Sequence, residues 1–535
     1  MFPAYHAFNL DFRVSTRSLL RFRLTERRQW VGLFLGPLLF LITGLTLQAK
    51  GLSAQASWAG ATVALMSCWW ITEPMPLWVT ACVPILTFPL LSGASFFVTL
   101  LQYLDPVNFL FLGGMLIAAS MEQWGLHRRI ALNIVSKIGT SPRRIVLGFM
   151  LATGFVTLWI SNTAAAVMMF PIAMAVLRKF EEQHGRNDEL LKKFGLALML
   201  GIAYAASIGG IGTKIGTGTN LVFVKNSPQP IDFVTWAKMG MPVVLISIPL
   251  VWLYLVHFGA RVPNRDFPGG AETIRNECAQ LGQWKRGEVI ALIAFLTAAI
   301  LWIFRKDIDL GGFVILGWSR LIRWDAKEFL SGTGWPEPVQ KIFSDPGDAV
   351  VSIIVAGALL LIPAGRTPQN NRVFALSPRN AAGVAWSMLI LLGGGFAMAY
   401  GIQASGLSTA IASNLKFIGD LNPFVAILAV SLVAVALTEV ASNTATASIL
   451  LPILAASAGS FGLSPLPLML AVTMAASFGF MLPAGTPPNA IVFSSGYITV
   501  PQMVRSGLVV DLFGAVLVAS ICHFLVPWVL AALPK

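Results

Sequence analysis

Apolar runs of about 17 to 20 residues, the length an α-helix needs to cross roughly 30 Å of hydrocarbon, recur through most of the chain. With the N-terminus placed on the cytoplasmic side, they predict spans near 31–48, 56–71, 77–93, 106–124, 195–224, 240–258, 288–304, 348–363, 384–404, 467–495 and 507–531. Two further apolar blocks, 144–177 and 422–458, are too long for one crossing and polar where a crossing would be driest. Each is drawn as a re-entrant hairpin that enters and leaves on one side with its tip near the midplane. The pattern therefore predicts an all-α polytopic membrane protein of about eleven transmembrane helices and two hairpins.

Composition agrees with the pattern: 56% of the 535 residues are hydrophobic and only 11% charged, against about a quarter charged in a soluble domain. The net charge of +13 reads as topology, not as nucleic-acid binding. The segments drawn as cytoplasmic hold 25 of the 37 basic residues, in clusters at 13–28, 128–144, 178–193, 261–286 and 366–379 and at Arg505. Were block 144–177 to cross once, the clusters on either side of it would face opposite sides, so the positive-inside rule favours hairpins. The basic N-terminal tail precedes an apolar stretch too long for a signal peptide and without a clear cleavage site, so residues 1–30 are expected to be a cytoplasmic tail before a retained span. That places the N-terminus inside a plasma membrane, or an inner membrane if the source is bacterial.

Each hairpin block carries the tripeptide Ser-Asn-Thr. TLWISNTAAAVMMFPI (Thr157 to Ile172) and TEVASNTATASILLPI (Thr438 to Ile453) align without a gap, with a threonine four residues upstream and a proline at the same distance downstream. A second pair is GGIGTKIGTGTN (Gly209 to Asn220) and GFMLPAGTPPN (Gly479 to Asn489), each inside an apolar segment of about 29 residues. Glycine and proline break helix there, and unwound backbone at membrane depth is tolerated only where it lines a protein cavity. A third pair is Gly113-Gly114 before WGLHRRIAL and Gly393-Gly394-Gly395 before SGLSTAIASNL. Three landmarks in one order make an internal duplication. An odd number of crossings per unit makes the halves inverted: residues 31–260 and 288–535, joined by a cytoplasmic linker at 261–287. An extracellular insertion is drawn at 305–347.

Tips and broken helices meeting at the midplane would form a chamber of Ser161, Asn162, Thr163, Thr217, Ser442, Asn443, Thr444 and Thr486. Helix N-termini aimed into it suit an anion. Freed carbonyls and neutral side-chain oxygens suit a hard monovalent cation such as Na⁺. One Ser-Asn-Thr in a membrane helix would read as helix–helix glue; two in matching contexts read as a site. Glu73, Glu122 and Glu439 lie in or beside apolar segments, where buried acids can mark proton paths, and Glu439 is the foremost because it precedes the second tip. Cys68, Cys82, Cys278 and Cys522 are far apart with no C-x-x-C pair, and the five histidines are scattered. No cofactor, metalloenzyme motif or nucleophile elbow is present in the sequence, so an enzyme is not expected.

At these motifs, and across most of residues 31–535, the chain resembles the divalent anion/sodium symporter family; LPAGTPPNAIVFSSGYI (Leu482 to Ile498) and FLGGMLIAASMEQWGLHRRIAL (Phe111 to Leu132) carry the resemblance further. It implies one Na⁺ near Thr157, Ser161, Asn162 and Gly216, and another near Thr438, Ala441, Asn443 and Gly485. It also implies a substrate pocket lined by Thr163, Thr217, Thr444 and Thr486, with Pro487 beside them. A homodimer and an elevator motion in the lipid bilayer follow from the resemblance alone. Two departures stand out. The first broken helix reads GTGTN where the second reads GTPPN, and Lys214 stands where an uncharged residue is usual. A lysine at that depth must face water, an acid or the anion; in the chamber it would bind substrate or replace a Na⁺. The expected function is Na⁺-driven import of a C4-dicarboxylate. The alternatives are a Na⁺-independent exchanger, a citrate or sulfate symporter on the same fold, and, remotely, a membrane-embedded enzyme.

Overall fold

The computed structural model describes residues 27–139, 141–185, 188–263, 268–309, 314–321, 347–366, 372–414, 421–457 and 464–531. The basic tail and most of the 305–347 insertion fall outside them. The principal helices are α1 (Arg27–Ala49), α2 (Ala54–Thr72), α3 (Val83–Leu91), α4 (Pro106–Trp124), α5 (Leu126–Ile138), α6 (Pro142–Thr157), α7 (Asn162–His184), α8 (Glu189–Gly210), α9 (Gly218–Asn226) and α10 (Phe233–Tyr254). They continue as α11 (Pro268–Gln280), α12 (Arg286–Ile303), α13 (Gly347–Leu361), α14 (Trp386–Ala404), α15 (Leu407–Asn414), α16 (Pro423–Thr438), α17 (Asn443–Ser457), α18 (Pro465–Ala475), α19 (Pro487–Phe493) and α20 (Val500–Ser520). Among the described residues, eight helical stretches are long and apolar enough to cross a membrane, and five apolar stretches are shorter. Among the described residues, strand is confined to two small ladders, Ile308–Asp309 with Val314–Ile315 and Pro363–Arg366 with Arg372–Phe374.

The duplication read from three sequence landmarks extends to seven consecutive helices. α4 to α10 and α14 to α20 repeat in order, in motif content and in breaks. Both hairpins open on a proline in the first helical turn, Pro142 and Pro423, where its missing N–H costs nothing. Both second arms carry an internal proline, Pro171 and Pro452. A fourth landmark, short enough to escape notice in the sequence, closes each half. α10 and α20 run into a single π-helical turn, Leu255–Gly259 and Ile521–Leu525, and each turn contains the dipeptide His-Phe, His257-Phe258 and His523-Phe524.

Burial follows the expected membrane logic. α8 is enclosed along nearly its whole length, as is α18, so both broken helices are the centre of the protein and not its lipid face. Their walls are α6, α7, α9, α16, α17 and α20, which share one continuous apolar cluster with them. A smaller cluster joins α2, α3 and α14 through Met66, Trp70, Phe88 and Met398. Large apolar side chains are exposed on α1 (Phe34, Leu38, Leu41), α10 (Leu245) and α20 (Leu512, Val516), the composition a hydrocarbon solvent requires. The basic segments between spans are partly helical. α5 buries Arg129, whose guanidinium meets Glu288 at the start of α12 at 3.0 Å.

Candidate functional site

The site is assembled by helix ends. In each hairpin the chain leaves one arm, runs through four non-helical residues, and starts the next arm at the asparagine of Ser-Asn-Thr. The serine is the cap: Ser161 Oγ accepts from the Ala164 N–H at 3.3 Å, and Ser442 Oγ accepts from the Ala445 N–H at 3.2 Å. Such a cap satisfies one of the four orphan donors at a helix start and leaves the others, with the positive end of the helix dipole, at the tip. Asn162 and Thr163, like Asn443 and Thr444, therefore occupy the first positions of α7 and α17.

The two unwound segments share one backbone device. Asn220 Nδ2 donates to the carbonyls of Gly210 (2.9 Å) and Thr213 (2.7 Å). Asn489 Nδ2 donates to the carbonyls of Gly479 (2.9 Å) and Leu482 (3.0 Å). The offsets are ten and seven residues in both halves. Each asparagine thus ties off two of the carbonyls released where its helix breaks, which is what buried unwound backbone needs. Helix restarts at the following threonine: Thr217 and Thr486 have nearly identical backbone angles (φ −147°, ψ 153° and φ −140°, ψ 150°). Thr486 caps its helix by accepting from the Asn489 N–H at 3.3 Å, whereas Thr217 makes no such bond.

The halves interlock at these ends. α9 packs against α17, and α19 packs against α7, so each restarted helix of one half lies against the second hairpin arm of the other. A Cβ at Gly218 would fall 2.7 Å from Thr444 Oγ1. Glycine at this position, where the second half has Pro487, is the consequence of that close approach, and it explains the GTGTN departure. Thr444 and Thr486 are buried, Ser161, Thr163 and Pro487 are exposed, and Asn162, Thr217, Ser442 and Asn443 lie between.

Oxygen atoms exceed hydrogens at both tips. Asn162 Oδ1 is buried without a hydrogen-bond partner. It and the Gly216 carbonyl lie 2.8 and 3.2 Å from the point that a Gly210 Cβ would occupy. Thr157 Oγ1, fully buried, is 3.1 Å from the carbonyls of both Thr153 and Gly154. In the second half, Thr438 Oγ1 lies 2.8 Å from Asn443 Oδ1 and 2.8 Å from the Ala476 carbonyl, with one hydroxyl hydrogen between two acceptors. Ala441 is buried beside it. The Leu482 and Glu439 carbonyls lie 3.3 and 3.5 Å from the point a Gly485 Cβ would occupy. Clusters of hard, neutral oxygens short of protons suit a monovalent cation.

Lys214 has an acid for a partner. Its Nζ donates to Asp348 Oδ2 at 2.7 Å, and Arg305 Nε stands 2.8 Å from the other carboxylate oxygen. All three groups are buried, Lys214 being 6% exposed. Asp348 begins α13, so the first unwound segment is tied to that helix. Two more pairs run between the same neighbourhoods: Lys225 at the end of α9 with Asp105, the cap of α4, and Lys306 with Asp232, the cap of α10, at 3.7 Å. A cavity of about 360 Å³ opens near the far end of α9 and is lined in part by Lys225, Asn226, Phe396, Tyr400, Gln403 and Met469. None of the motif residues lines it.

Of the two acids behind the second segment, sequence reasoning singled out Glu439 but not Asp511. Glu439 braces the segment beside the tip: its two oxygens accept the N–H groups of Met481 (2.9 Å) and Leu482 (3.0 Å), and Oε2 lies 3.5 Å from the point a Gly485 Cβ would occupy. Asp511 on α20 accepts the Phe480 N–H at 3.4 Å. The first half holds its segment differently, through a hydrogen bond from the Thr213 hydroxyl to the Leu158 carbonyl.

The profile of the sodium:sulfate symporter transmembrane region matches residues 27–531. The sodium-dependent dicarboxylate transporter SdcS of Staphylococcus saprophyticus is 38% identical over 509 residues, 94% of this chain and 92% of that protein. SdcS of Staphylococcus aureus is 35% identical over 508 residues with the same coverage. Among solved structures, the YdaH transporter of Alcanivorax borkumensis is 16% identical over 79% of this chain and 86% of its own, with a TM-score of 0.46, a likeness too remote to bear on the site.

Proposed function

The chain belongs to the sodium:sulfate symporter family, a family of membrane transporters, and from that premise we propose that it imports a C4-dicarboxylate such as succinate, malate or fumarate together with Na⁺. The observation that carries this reading is the meeting of two capped Ser-Asn-Thr tips with two asparagine-braced unwound segments. Helix N-termini at the tips would take the two carboxylates of the substrate, one per half, through N–H groups and the hydroxyls of Thr163, Thr217, Thr444 and Thr486. The oxygen clusters behind the tips would take Na⁺, one beside Thr157, Ser161, Asn162 and Gly216 and one beside Thr438, Ala441, Asn443 and Gly485. The SdcS relatives, sodium-dependent dicarboxylate transporters by name, support substrate class and coupling ion alike.

Asparagine is the hinge of the mechanism. Its side-chain oxygen points to the cation cluster while its backbone starts the helix that meets the anion. A bound Na⁺ therefore fixes the tip in the arrangement the carboxylate needs, and neutralises charge the dianion brings in. Three Na⁺ per dianion, the ratio the family resemblance implies, would move one net charge, worth about 2.3 kcal/mol per 100 mV. Three tenfold gradients would add roughly 4 kcal/mol. Two inverted halves sliding as an elevator unit within a homodimer, with the N-terminus in the cytoplasm, complete the proposal.

The test is uptake of labelled succinate into proteoliposomes under an inward Na⁺ gradient, against an equal K⁺ gradient. Uptake dependent on Na⁺ is the expected result. Uptake indifferent to Na⁺ but stimulated by internal succinate would replace symport by exchange, and uptake of labelled citrate or sulfate in the absence of succinate uptake would replace the substrate.

A further inference from the structure

Behind the second unwound segment lies a group of polar side chains that the two tip sites do not use. Glu439 ends α16 and Asp511 lies in α20; they are 4% and 1% exposed. The Asp511 carboxyl is within side-chain hydrogen-bonding reach of Glu439. Glu439 has both oxygens on main-chain N–H groups, at 2.9 and 3.0 Å, so its charge is met by two peptide dipoles. Asp511 is not so served: one oxygen has a single long bond of 3.4 Å to the Phe480 N–H, and the other, Oδ1, has no partner. Among the described residues no Lys, Arg or His forms an ion pair with either acid.

A third group arrives from the other half of the molecule. Tyr204 on α8 is fully buried, its ring centroid 4.4 Å from that of Phe480. Its hydroxyl has no hydrogen-bond partner and is within electrostatic range of Asp511 and Glu439, with Tyr254 of α10 also near. Two orphaned oxygens from two different helices thus accompany two mutually repelling carboxylates with no basic residue to balance them. A buried polar atom normally has a partner, and two buried carboxylates in contact are relieved by a shared proton or by a cation between them. The donor set is hard oxygen throughout, with no imidazole or thiolate, which selects an alkali or alkaline-earth ion over a transition metal.

We propose that Asp511, Glu439 and Tyr204 form a further Na⁺ site, behind the second unwound segment and adjoining the one expected beside Gly485. The inference rests on the Na⁺-coupled reading above. Its consequence is mechanical: Glu439 also holds the Met481 and Leu482 N–H groups, so an ion between the acids fixes the segment that leads to Gly485 and Thr486. Occupancy here would therefore be felt at the second tip without direct contact with substrate.

The experiment counts ions. Equilibrium binding of ²²Na⁺ to the purified full-length protein, in detergent and without substrate, is compared between wild type and Asp511→Asn, whose amide keeps the shape of the carboxyl but not its charge. The variant should bind one Na⁺ fewer, and its Na⁺ half-saturation for succinate uptake should rise about tenfold. Tyr204→Phe removes only an unbonded hydroxyl and should weaken the same ion severalfold; it serves as the reporter if Asp511→Asn does not fold. An unchanged Na⁺ count and half-saturation in a folded variant would overturn the proposal. So would an unchanged count accompanied by an altered pH dependence, because the acids would then hold a proton. Wild type that binds no Na⁺ would sink the coupled reading itself, a result distinct from either.

Discussion

The two unwound segments are one device with opposite electrical surroundings. Both are braced by an asparagine that holds the carbonyls ten and seven residues before it. Both restart helix at a threonine of the same backbone conformation. Around the first stands a basic residue, Lys214, and the acid that pairs with it, Asp348, is itself shared with Arg305. Around the second stand two acids with, among the described residues, no base paired to them. Even the link from hairpin to segment differs at equivalent positions: after Thr157 it is the Leu158 carbonyl that accepts from Thr213, and after Thr438 it is the Glu439 side chain that accepts from Met481 and Leu482. The backbone is duplicated, and the unduplicated charges decide what each half is tied to. The first segment is tethered to α13 by a protein cation, and the second waits for a cation from solution.

The difference can be broken most forcefully at Asp348. Asp348→Asn leaves Lys214 buried without its counter-charge, a loss of about 3–5 kcal/mol for a broken buried pair. Thermal unfolding in detergent should fall accordingly, and Lys214→Met should cost less, because Asp348 keeps Arg305. If Asp348→Asn leaves stability untouched, the tether is not what holds the first segment.

The shared device should fail equally in both halves. Asn220→Ala and Asn489→Ala each strand two buried carbonyls, at about 1–3 kcal/mol apiece, and both should lose Na⁺-dependent uptake at least a hundredfold. A variant in one half that transports normally would show that the brace is structural there and no more. The smallest effect belongs to the contact between halves. Gly218→Ala places a methyl 2.7 Å from Thr444 Oγ1, an overpacking cost of about 1–3 kcal/mol. It should raise the succinate KM, whereas Pro487→Ala at the matching position of the second half should change KM little. Equal KM effects would deny the asymmetry.

Much of this was legible in the sequence because it is carried by neighbours along the chain. Hairpins show as apolar blocks too long for one crossing, and segments show as glycine and proline where helix is otherwise unbroken. The Ser-Asn-Thr serines could be placed at the tips, but not their use as helix caps, since a cap is defined by where the helix restarts. Lys214 could be flagged as needing a partner; Asp348, 134 residues away, could not be chosen from the other acids. Glu439 was visible as a buried acid beside the second tip, yet nothing local pointed to Asp511 or Tyr204, which reach it only through the packing of α20 and α8. The His-Phe dipeptides at the two π-turns were present in the sequence throughout, but two residues are too few to stand out until the helices that carry them are superposable.

The central claim is that the two tips form one site and not two. Binding of labelled succinate in saturating Na⁺ should be measured for Asn162→Ala, Asn443→Ala and the double variant. The account predicts that each single change abolishes most of the binding and that the second adds almost nothing, a coupling nearly as large as either effect. Losses that simply add, each half binding weakly and independently, would contradict it.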